Sequence, residues 1–259
     1  MRKILSTFTT LGAIALLSLA SCSKDDTLYS GNVTMGNIDG ETIVSDQGNT
    51  FDIAESMFEV TLSDYKYGRV MLACDILKET ADKRYDIRLL AISQVLTKEA
   101  VKASTITPES ELAVEDAIVI RDMWYSGGYL NMLIEFAYKQ GSETSHFINL
   151  VYDDVTAAET DSDLKSYTFT LRHNAYGETP KIGETYLNST GYVSFPIASI
   201  IKEDKAELNI RWKSHRFMDG EYKLYETEDM EHKGEWIRSG FEHPATALKA
   251  SPSFRAMIQ

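Results

Sequence analysis

Apolar and polar residues alternate along much of the second half of this chain, and this period of two constrains the fold more than any other feature. Asn131 and Glu135 share one side of a run whose other side is entirely apolar. The apolar side consists of Leu130, Met132, Ile134, Phe136 and Tyr138. The glycine-containing residues 126–128 precede this run, as in a hairpin. The pattern predicts a half-buried strand that follows a tight turn.

Further β-rich runs follow without helical segments between them. They cover residues 146–152, 167–173, 191–195 and 206–213. Strands at this spacing predict a β-sandwich domain over residues 118–259. From residue 217 onward the pattern is mixed, and residues 241–259 receive no assignment.

The first half also contains strand-like runs, separated by short polar or glycine-containing segments. These runs cover residues 32–38, 50–53, 68–77 and 84–92, and they predict a small β-barrel domain over residues 32–98. Residues 99–117 lack aromatic side chains and contain Pro108, which is typical of a connector with room for one helical turn after the proline. The predicted fold class is therefore all-β, a barrel followed by a sandwich.

The N-terminus has the features of a lipoprotein signal peptide over residues 1–21. Arg2 and Lys3 precede an apolar stretch, residues 11–20, that is too short to span a bilayer. The stretch ends in Leu-Ala-Ser-Cys22, which resembles the bacterial lipobox and predicts Cys22 as the lipid attachment residue. A thioether-linked diacylglyceryl group and a further acyl chain such as palmitate make a stable anchor. The alternative is an ordinary secretory signal with an incidental cysteine.

Residues 22–31 are interpreted as a tether between the anchor and the barrel. The sequence Lys24-Asp25-Asp26 directly after the cysteine resembles the export signal that sends Bacteroidetes lipoproteins to the outer face of the outer membrane. The predicted location is thus the outer membrane, lipid-anchored and facing the cell surface. The alternative interpretation of the same residues is a solvated tether without a sorting role.

Charge limits the choice of partners. The formal net charge is −13, and loss of Arg2 and Lys3 with the signal peptide makes the remaining chain two units more negative. This balance disfavours nucleic acid and anionic lipid surfaces as partners. The expected contact with a membrane is through the lipid anchor alone.

No motif of an enzyme or a metal site is found. Cys74 lies on the apolar face of a strand and is interpreted as a buried, inert thiol. The five histidines, at positions 146, 173, 215, 232 and 243, lack zinc-ligand spacing. A calcium site is a weaker interpretation than a solvated loop for the acidic residues 153, 154, 161 and 163. Glu135 and Glu178 form one of many conceivable glycosidase pairs. We therefore predict no catalytic, cofactor-binding or metal-binding residues, and no enzymatic activity.

Four motifs occur in an order and spacing that resemble NigD-like lipoproteins of Bacteroidetes. They occupy residues 124–131, 145–151, 171–178 and 193–196. The resemblance is strong from residue 118 to 212 and weaker over residues 32–96, and it implies an N-terminal OB-like barrel followed by a C-terminal β-sandwich. The family is named after a locus that makes the bacteriocin nigrescin, and the resemblance implies no biochemical activity.

Three functions remain open at this point. The leading one is a non-enzymatic binding or accessory protein of the outer membrane, whose unknown partner is a peptide, a glycan or another envelope protein. The second is a bacteriocin-associated immunity or envelope-protection protein, suggested by the family name. The third is a glycan-acting enzyme, which would need two carboxylates at glycosidase separation in one cleft.

The motif at residues 171–178 allows a functional and a structural interpretation. Arg172, His173 and Tyr176 could together bind an anionic or sugar ligand. The structural alternative is a clamp at a strand end, with Asn174 and Gly177 at positive φ and the Tyr176 hydroxyl bonded to a backbone carbonyl, as in a tyrosine corner. Local chemistry favours the clamp.

Overall fold

A computed structural model of the chain describes residues 32–153, 156–157 and 164–238. The predicted signal peptide, Cys22 and the tether lie outside the described residues, as does the segment 239–259. The described part of the chain includes no helix with the length and apolarity that a bilayer crossing requires.

The N-terminal strands close into a barrel. Its strand order is β1-β2-β3-β5-β4, and β1 pairs with β4 to close it. Alternating side chains fill the interior around Phe51, Leu72 and Ile87, which are at most 4% exposed. The strands are β1 (Asn32–Asp39), β2 (Thr42–Ser45), β3 (Thr50–Ser56), β4 (Arg69–Ala81) and β5 (Arg84–Gln94). The OB-like barrel is therefore confirmed.

Two sheets form the C-terminal sandwich. One sheet has the order β15-β14-β12-β10-β7, with β11 paired to β12, and the other has the order β6-β13-β9-β8. The strands are β6 (Leu96–Thr97), β7 (Val101–Lys102), β8 (Val119–Ser126), β9 (Tyr129–Lys139), β10 (Phe147–Tyr152), β11 (Thr156–Ala157), β12 (Lys165–Asn174), β13 (Tyr186–Pro196), β14 (Lys205–Met218) and β15 (Glu221–Ile237).

The apolar side of β9 faces the sandwich core, as the alternation predicts. Phe136 packs there with Phe195 of the neighbouring strand β13 and Phe169 of β12 in the opposite sheet, and all three are at most 1% exposed. Burial of large apolar side chains from both sheets is the main source of stability for such a sandwich. The all-β fold class is confirmed.

The segment predicted as a connector contributes to the sandwich. Leu96–Thr97 pair with β13, and Val101–Lys102 pair with β10, so each sheet gains a short edge strand. A 3-10 turn, Glu111–Ala113, follows Pro108, and the Ser110 hydroxyl caps it by accepting a hydrogen bond from the Leu112 amide. The chain therefore enters the two sheets before residue 118, where the sandwich is predicted to begin.

Two strands differ from the sequence expectations. β2 has only four residues and is not among the predicted runs, and β15 occupies much of the stretch after residue 217 whose sequence pattern is mixed. Asp219 and Gly220 join β14 to β15 with φ values of 55° and 80°. An Asp-Gly pair at positive φ is the preferred two-residue turn of a β-hairpin. The dipeptide was a usable signal for β15.

Candidate functional site

A buried ion pair lies where the barrel meets the sandwich. Arg69 at the start of β4 is 1% exposed, and its two Nη atoms donate to the two carboxylate oxygens of Asp46 at 2.8 and 2.7 Å. Nη1 also donates to Asn37 Oδ1 at 3.2 Å. Both charges belong to the barrel, and each satisfies the other in a place that water does not reach.

The remaining donors of Arg69 cross to the sandwich. Nε donates to Ser194 Oγ at 3.1 Å, and Nη2 donates to Asn131 Oδ1 at 3.0 Å. The Tyr129 ring covers the guanidinium at 3.9 Å. All five N–H groups of the arginine therefore have an acceptor. We call this group the Arg69 centre; its members are Arg69, Asp46, Asn37, Tyr129, Asn131, Ser194 and Ser126, whose hydroxyl donates to Asp46.

Gly127, in the turn between β8 and β9, is required by the Arg69 centre. Its φ is 57°, and a Cβ at this position would lie 2.4 Å from Asp46 Oδ1. The motifs at residues 124–131 and 193–196 thus supply the sandwich side of a saturated polar contact between the domains. Their role is structural.

The motifs at residues 145–151 and 171–178 meet at a second buried group. His173 Nδ1 lies 2.9 Å from the carbonyl oxygen of Ala117, which can only accept, so this nitrogen carries the hydrogen. His173 Nε2 then accepts from His146 Nδ1 at 2.9 Å. Burial, with the neighbouring His146, lowers the pKa of His173 to about 3. The histidine pair, His146 and His173, is neutral at physiological pH.

Glu178 lies beside the histidine pair. Its Oε2 is 3.6 Å from His146 Nε2, and it also accepts a hydrogen bond from the Ser142 hydroxyl. Burial lowers the pKa of His146, although the nearby carboxylate opposes this shift. Burial raises the pKa of Glu178, but hydrogen bonds led by those from Ser142 and Thr144 outweigh it and leave the pKa below its usual value.

The strand end at residues 171–178 is a clamp, but its parts differ from the prediction. Gly177 has the expected positive φ, 84°, whereas Asn174 stays in β12 and Tyr176 takes a φ of 48°. Asn174 Oδ1 accepts from the Tyr176 amide at 2.8 Å, and Asp116 Oδ2 accepts from the Ala175 amide at 2.8 Å. The predicted tyrosine corner is wrong, because the Tyr176 hydroxyl donates to the Glu111 carboxylate at 2.6 Å.

The three side chains considered as a ligand site in this motif do not converge. Arg172 pairs with Glu115, His173 is in the core, and Tyr176 is 42% exposed and bonded to Glu111. They serve three separate contacts.

The imagined glycosidase pair also separates into two environments. Glu178 belongs to the group around His146, whereas Glu135 accepts hydrogen bonds from Arg121 and Asn188. Among the described residues, no contact joins the two carboxylates.

The remaining residues considered in the sequence analysis lie at separate places in the fold. Cys74 is fully buried, as predicted, and burial with the nearby Asp75 raises the pKa of its thiol to about 11. His232 is exposed on β15, and His243 lies outside the described residues. Of the acidic loop, Asp153 is described and residues 154, 161 and 163 are not. Within the described ranges, no three His, Cys, Asp or Glu side chains are grouped to hold a metal ion.

A cleft opens between the tip of the β14–β15 hairpin and strands β8, β9 and β13. Its volume is about 320 Å³, within the range of small-molecule sites. We call it the hairpin cleft. Its buried floor consists of Val119, Phe136, Ala137 and His215. Its rim consists of Arg121, Glu135, Asn188, Phe217, Gly220, Glu221, Tyr222 and Leu224.

Two irregularities in strand pairing shape the hairpin cleft. The β8–β9 register shifts between Ile120 and Asp122, which leaves Arg121 as the extra residue of a bulge. The β14–β15 register shifts between His215 and Arg216, so the backbone of residues 224–226 lies opposite no residue of β14 in the strand register. Bulges redirect side chains and are frequent beside functional sites. Here they bend the hairpin tip and turn Arg121 to the rim.

The polar groups of the rim are linked to each other. Arg121 Nε donates to Glu135 Oε2 at 2.7 Å, and Asn188 Nδ2 donates to Glu135 Oε1 at 3.0 Å. The Arg121 guanidinium lies 4.8 Å from the centre of the Tyr222 ring. The Glu135 carboxylate is thereby held in place by both oxygens.

His215, a residue of the floor, has a buried nitrogen without a hydrogen-bond partner in the part of the chain that the structure describes. The residue is 4% exposed, and the nitrogen is Nδ1. Burial lowers the pKa of His215, so the ring is neutral. A buried nitrogen without a partner is costly unless a ligand or water completes it.

The residues of the hairpin cleft all lie within one family match. The family model described as the NigD-like C-terminal beta sandwich domain matches residues 101–227. Over residues 101–227 the chain is therefore NigD-like. The resemblance read from the four sequence motifs is therefore confirmed.

Solved structures similar to this chain come from Bacteroides and Parabacteroides. A protein of unknown function from Bacteroides vulgatus ATCC 8482 has 18% identity and a TM-score of 0.58, over 83% of this chain and 95% of that one. A protein from Parabacteroides distasonis ATCC 8503, provisionally designated toxin-related, has 22% identity and a TM-score of 0.53, over 80% and 93%. A protein from Bacteroides fragilis NCTC 9343, provisionally designated a lipoprotein, has 11% identity and a TM-score of 0.53, over 80% and 99%. At these identities the likeness shows the shared fold. No curated protein matches the chain significantly.

Proposed function

We propose that this NigD-like chain is a lipid-anchored protein of the outer membrane that binds a ligand in the hairpin cleft without transforming it. The observation that carries this proposal is the cleft itself, a concave space with an apolar floor and linked polar groups at its rim. Sites of this composition hold small ligands, or the end of a larger one.

The absence of catalysis is inferred from how Glu135 is used. A glutamate that acts as a general acid or base must exchange a proton with the substrate. Both Glu135 oxygens already accept hydrogen bonds within the protein. Glu135 therefore serves to hold Arg121 and Asn188.

The anchor is supported by the lipobox-like residues that end in Cys22, and the surface location by Lys24-Asp25-Asp26. The provisional lipoprotein designation of the B. fragilis structure agrees with an anchored member of this fold. The alternative role in bacteriocin immunity is supported only by the name of the family and by the provisional toxin-related designation of one similar structure. No contact among the described residues favours it over ligand binding.

Binding in the cleft is tested with the chain from Ser23 to Gln259 and a chemically diverse fragment library. We expect at least one fragment to shift NMR signals of residues 119–121, 135–137 and 215–224, and to be recovered unchanged. Fragments that bind only elsewhere, or none that bind, would contradict the binding site. Conversion of a bound fragment would contradict the non-catalytic role.

The anchor is tested by metabolic labelling with a fatty-acid analogue. We expect label on the wild-type protein and none on Cys22→Ala. Equal labelling of both proteins would show that Cys22 is not the lipid attachment residue.

Surface exposure is tested by protease treatment of intact cells. We expect the wild-type protein to be removed and the variant with Ala in place of Lys24, Asp25 and Asp26 to be protected. Protection of the wild type would place the protein on an inner face of the envelope.

A further inference from the structure

The rim of the hairpin cleft presents an aromatic ring to solvent. Phe217 is 55% exposed, although it is only two residues from the buried His215. Its ring centre lies 4.9 Å from that of Tyr222, at an angle of 60°. The edge contact holds the Phe217 ring in place. A fixed, exposed ring is a surface on which the C–H face of a sugar can pack, because the contact removes apolar area on both sides from water.

Beside this ring, unfilled donors and acceptors lie close together. Arg121 uses its Nε for Glu135, and no described residue accepts a hydrogen bond from its Nη atoms. Asn188 uses one N–H for Glu135, while its Oδ1 has no partner among the described residues. Hydroxyl groups both donate and accept, so a ligand with several hydroxyls matches such a mixed set.

The charge of the cleft argues against an anionic ligand. The guanidinium of Arg121 is neutralised by Glu135 at 2.7 Å, and Glu221 adds a negative charge at the rim. The whole chain has a formal net charge of −13. An acidic sugar or a phosphate would meet repulsion and no unpaired cation.

The size of the cleft limits how much of a ligand it encloses. Its volume of about 320 Å³ lies at the lower end of the range for ligand sites, roughly 300–1,000 Å³. This suits the end of a chain of sugars.

We infer that the hairpin cleft binds the end of a neutral glycan, with one sugar ring stacked on Phe217 and its hydroxyls bonded to Arg121 and Asn188. This inference rests on the proposed function of the cleft as a ligand site and names the class of ligand.

Saturation-transfer NMR on the chain from Ser23 to Gln259 tests the inference. The probes are the methyl glycosides of glucose, galactose, mannose and N-acetylglucosamine, together with glucuronic, galacturonic and mannuronic acids. We expect at least one neutral glycoside to bind, and its acidic counterpart, where the panel contains one, to bind about tenfold more weakly or not at all.

Matched variants locate the binding. Phe217→Ala removes the stacking ring and should weaken binding by about tenfold or more. Tyr225→Ala is the control, because Tyr225 is also 55% exposed on this hairpin but is not part of the cleft. Asn188→Ala changes an exposed residue and should also weaken binding, without a change in thermal stability. Unchanged binding by Phe217→Ala would overturn the stacking.

The glycan inference and the proposed function fail differently. If only acidic sugars bind, or if the fragments that bind in the cleft are never sugars, the glycan inference is wrong and the cleft remains a ligand site. If neither sugars nor fragments bind there, both are wrong.

Discussion

The Arg69 centre and the hairpin cleft contain the same types of side chain in opposite situations. In each, an arginine pairs with an acid at 2.7 Å, and an asparagine bonds to one member of the pair. The Arg69 side chain is 1% exposed with every N–H satisfied, whereas the Arg121 side chain is 40% exposed with one N–H bonded to a described side chain. Residue types alone therefore do not distinguish a structural group from a binding group. Burial and unfilled hydrogen-bonding capacity do.

The largest effect is expected when the acid of each pair is removed. Asp46→Ala leaves a buried guanidinium without its counter-charge, and we expect the free energy of unfolding to fall by about 3–5 kcal/mol. Glu135→Ala leaves Arg121 free to reach solvent, and we expect a loss of about 1 kcal/mol or less. Urea unfolding of both variants measures the difference.

Asp52→Ala provides the control for geometry. Arg84 binds Asp52 through two hydrogen bonds, at 2.6 and 2.7 Å, as Arg69 binds Asp46, but the Arg84 side chain is 50% exposed. We expect a loss of less than about 1 kcal/mol. Equal losses for Asp46→Ala and Asp52→Ala would mean that burial does not separate the two kinds of pair.

Two glycines sharpen the same comparison. Gly127 at the Arg69 centre and Gly220 at the hairpin cleft both have positive φ, but only Gly127 has an atom, Asp46 Oδ1, where a Cβ would go. We expect Gly220→Ala to cost about 1 kcal/mol through backbone strain. Gly127→Ala adds the displacement of a buried carboxylate and should cost about 2–4 kcal/mol. Similar thermal melting temperatures for the two variants would contradict this account.

The sequence predicted the regular parts of the molecule well. The alternation along β9 and the runs of β4 and β5 reflect side chains that alternate between core and solvent. β15 was not predicted from the sequence because most of its residues are exposed on both faces, and apolar and polar residues therefore do not alternate along it. β2 is only four residues long.

Neither polar group could be assembled from sequence. Arg69 and Ser194 are 125 positions apart, and only the meeting of the two domains joins them. The hairpin cleft depends on bulges at Arg121 and at residues 224–226, which interrupt the register that the period of two would predict. The motifs did point to the Arg69 centre and the histidine pair, through Ser126, Asn131 and His173, but gave no indication of which atoms they bond.

Acid should destabilise the molecule through its buried histidines. Burial lowers the pKa of His173 to about 3, while the unfolded chain keeps the usual value of about 6.5. Between these values only the unfolded state takes up the proton, so stability falls as the pH falls below about 6.5. For one such histidine the loss between about pH 7.5 and pH 5 is about 2 kcal/mol. Carboxylates with a lowered pKa, such as Glu178, also contribute to the free energy of unfolding, and that contribution is lost only at lower pH.

Two variants assign this pH dependence. His215→Gln should reduce the difference in unfolding free energy between pH 7.5 and pH 5, because burial also lowers the pKa of His215. His232→Gln changes an exposed histidine and should leave the difference as in the wild type. An unfolding free energy that is the same at both pH values would show that the buried histidines are protonated in the folded state.

The smallest effect is expected at Tyr176, where a hydroxyl bond exists but is exposed. The sequence interpretation placed this hydroxyl on a backbone carbonyl, and loss of such a bond in Tyr176→Phe would cost about 1 kcal/mol. Its acceptor is the exposed Glu111 carboxylate, and water can replace that acceptor, so we expect a loss below about 0.5 kcal/mol.

Tyr167 is the buried counterpart, 2% exposed, with its hydroxyl donating to Glu203 at 2.5 Å and accepting from the Lys202 amide at 3.3 Å. Tyr167→Phe leaves both partners short of a bond and should cost about 1–2 kcal/mol. If thermal melts reverse this order, exposure does not decide the strength of these hydroxyl bonds, and the distinction drawn between the Arg69 centre and the hairpin cleft fails with it.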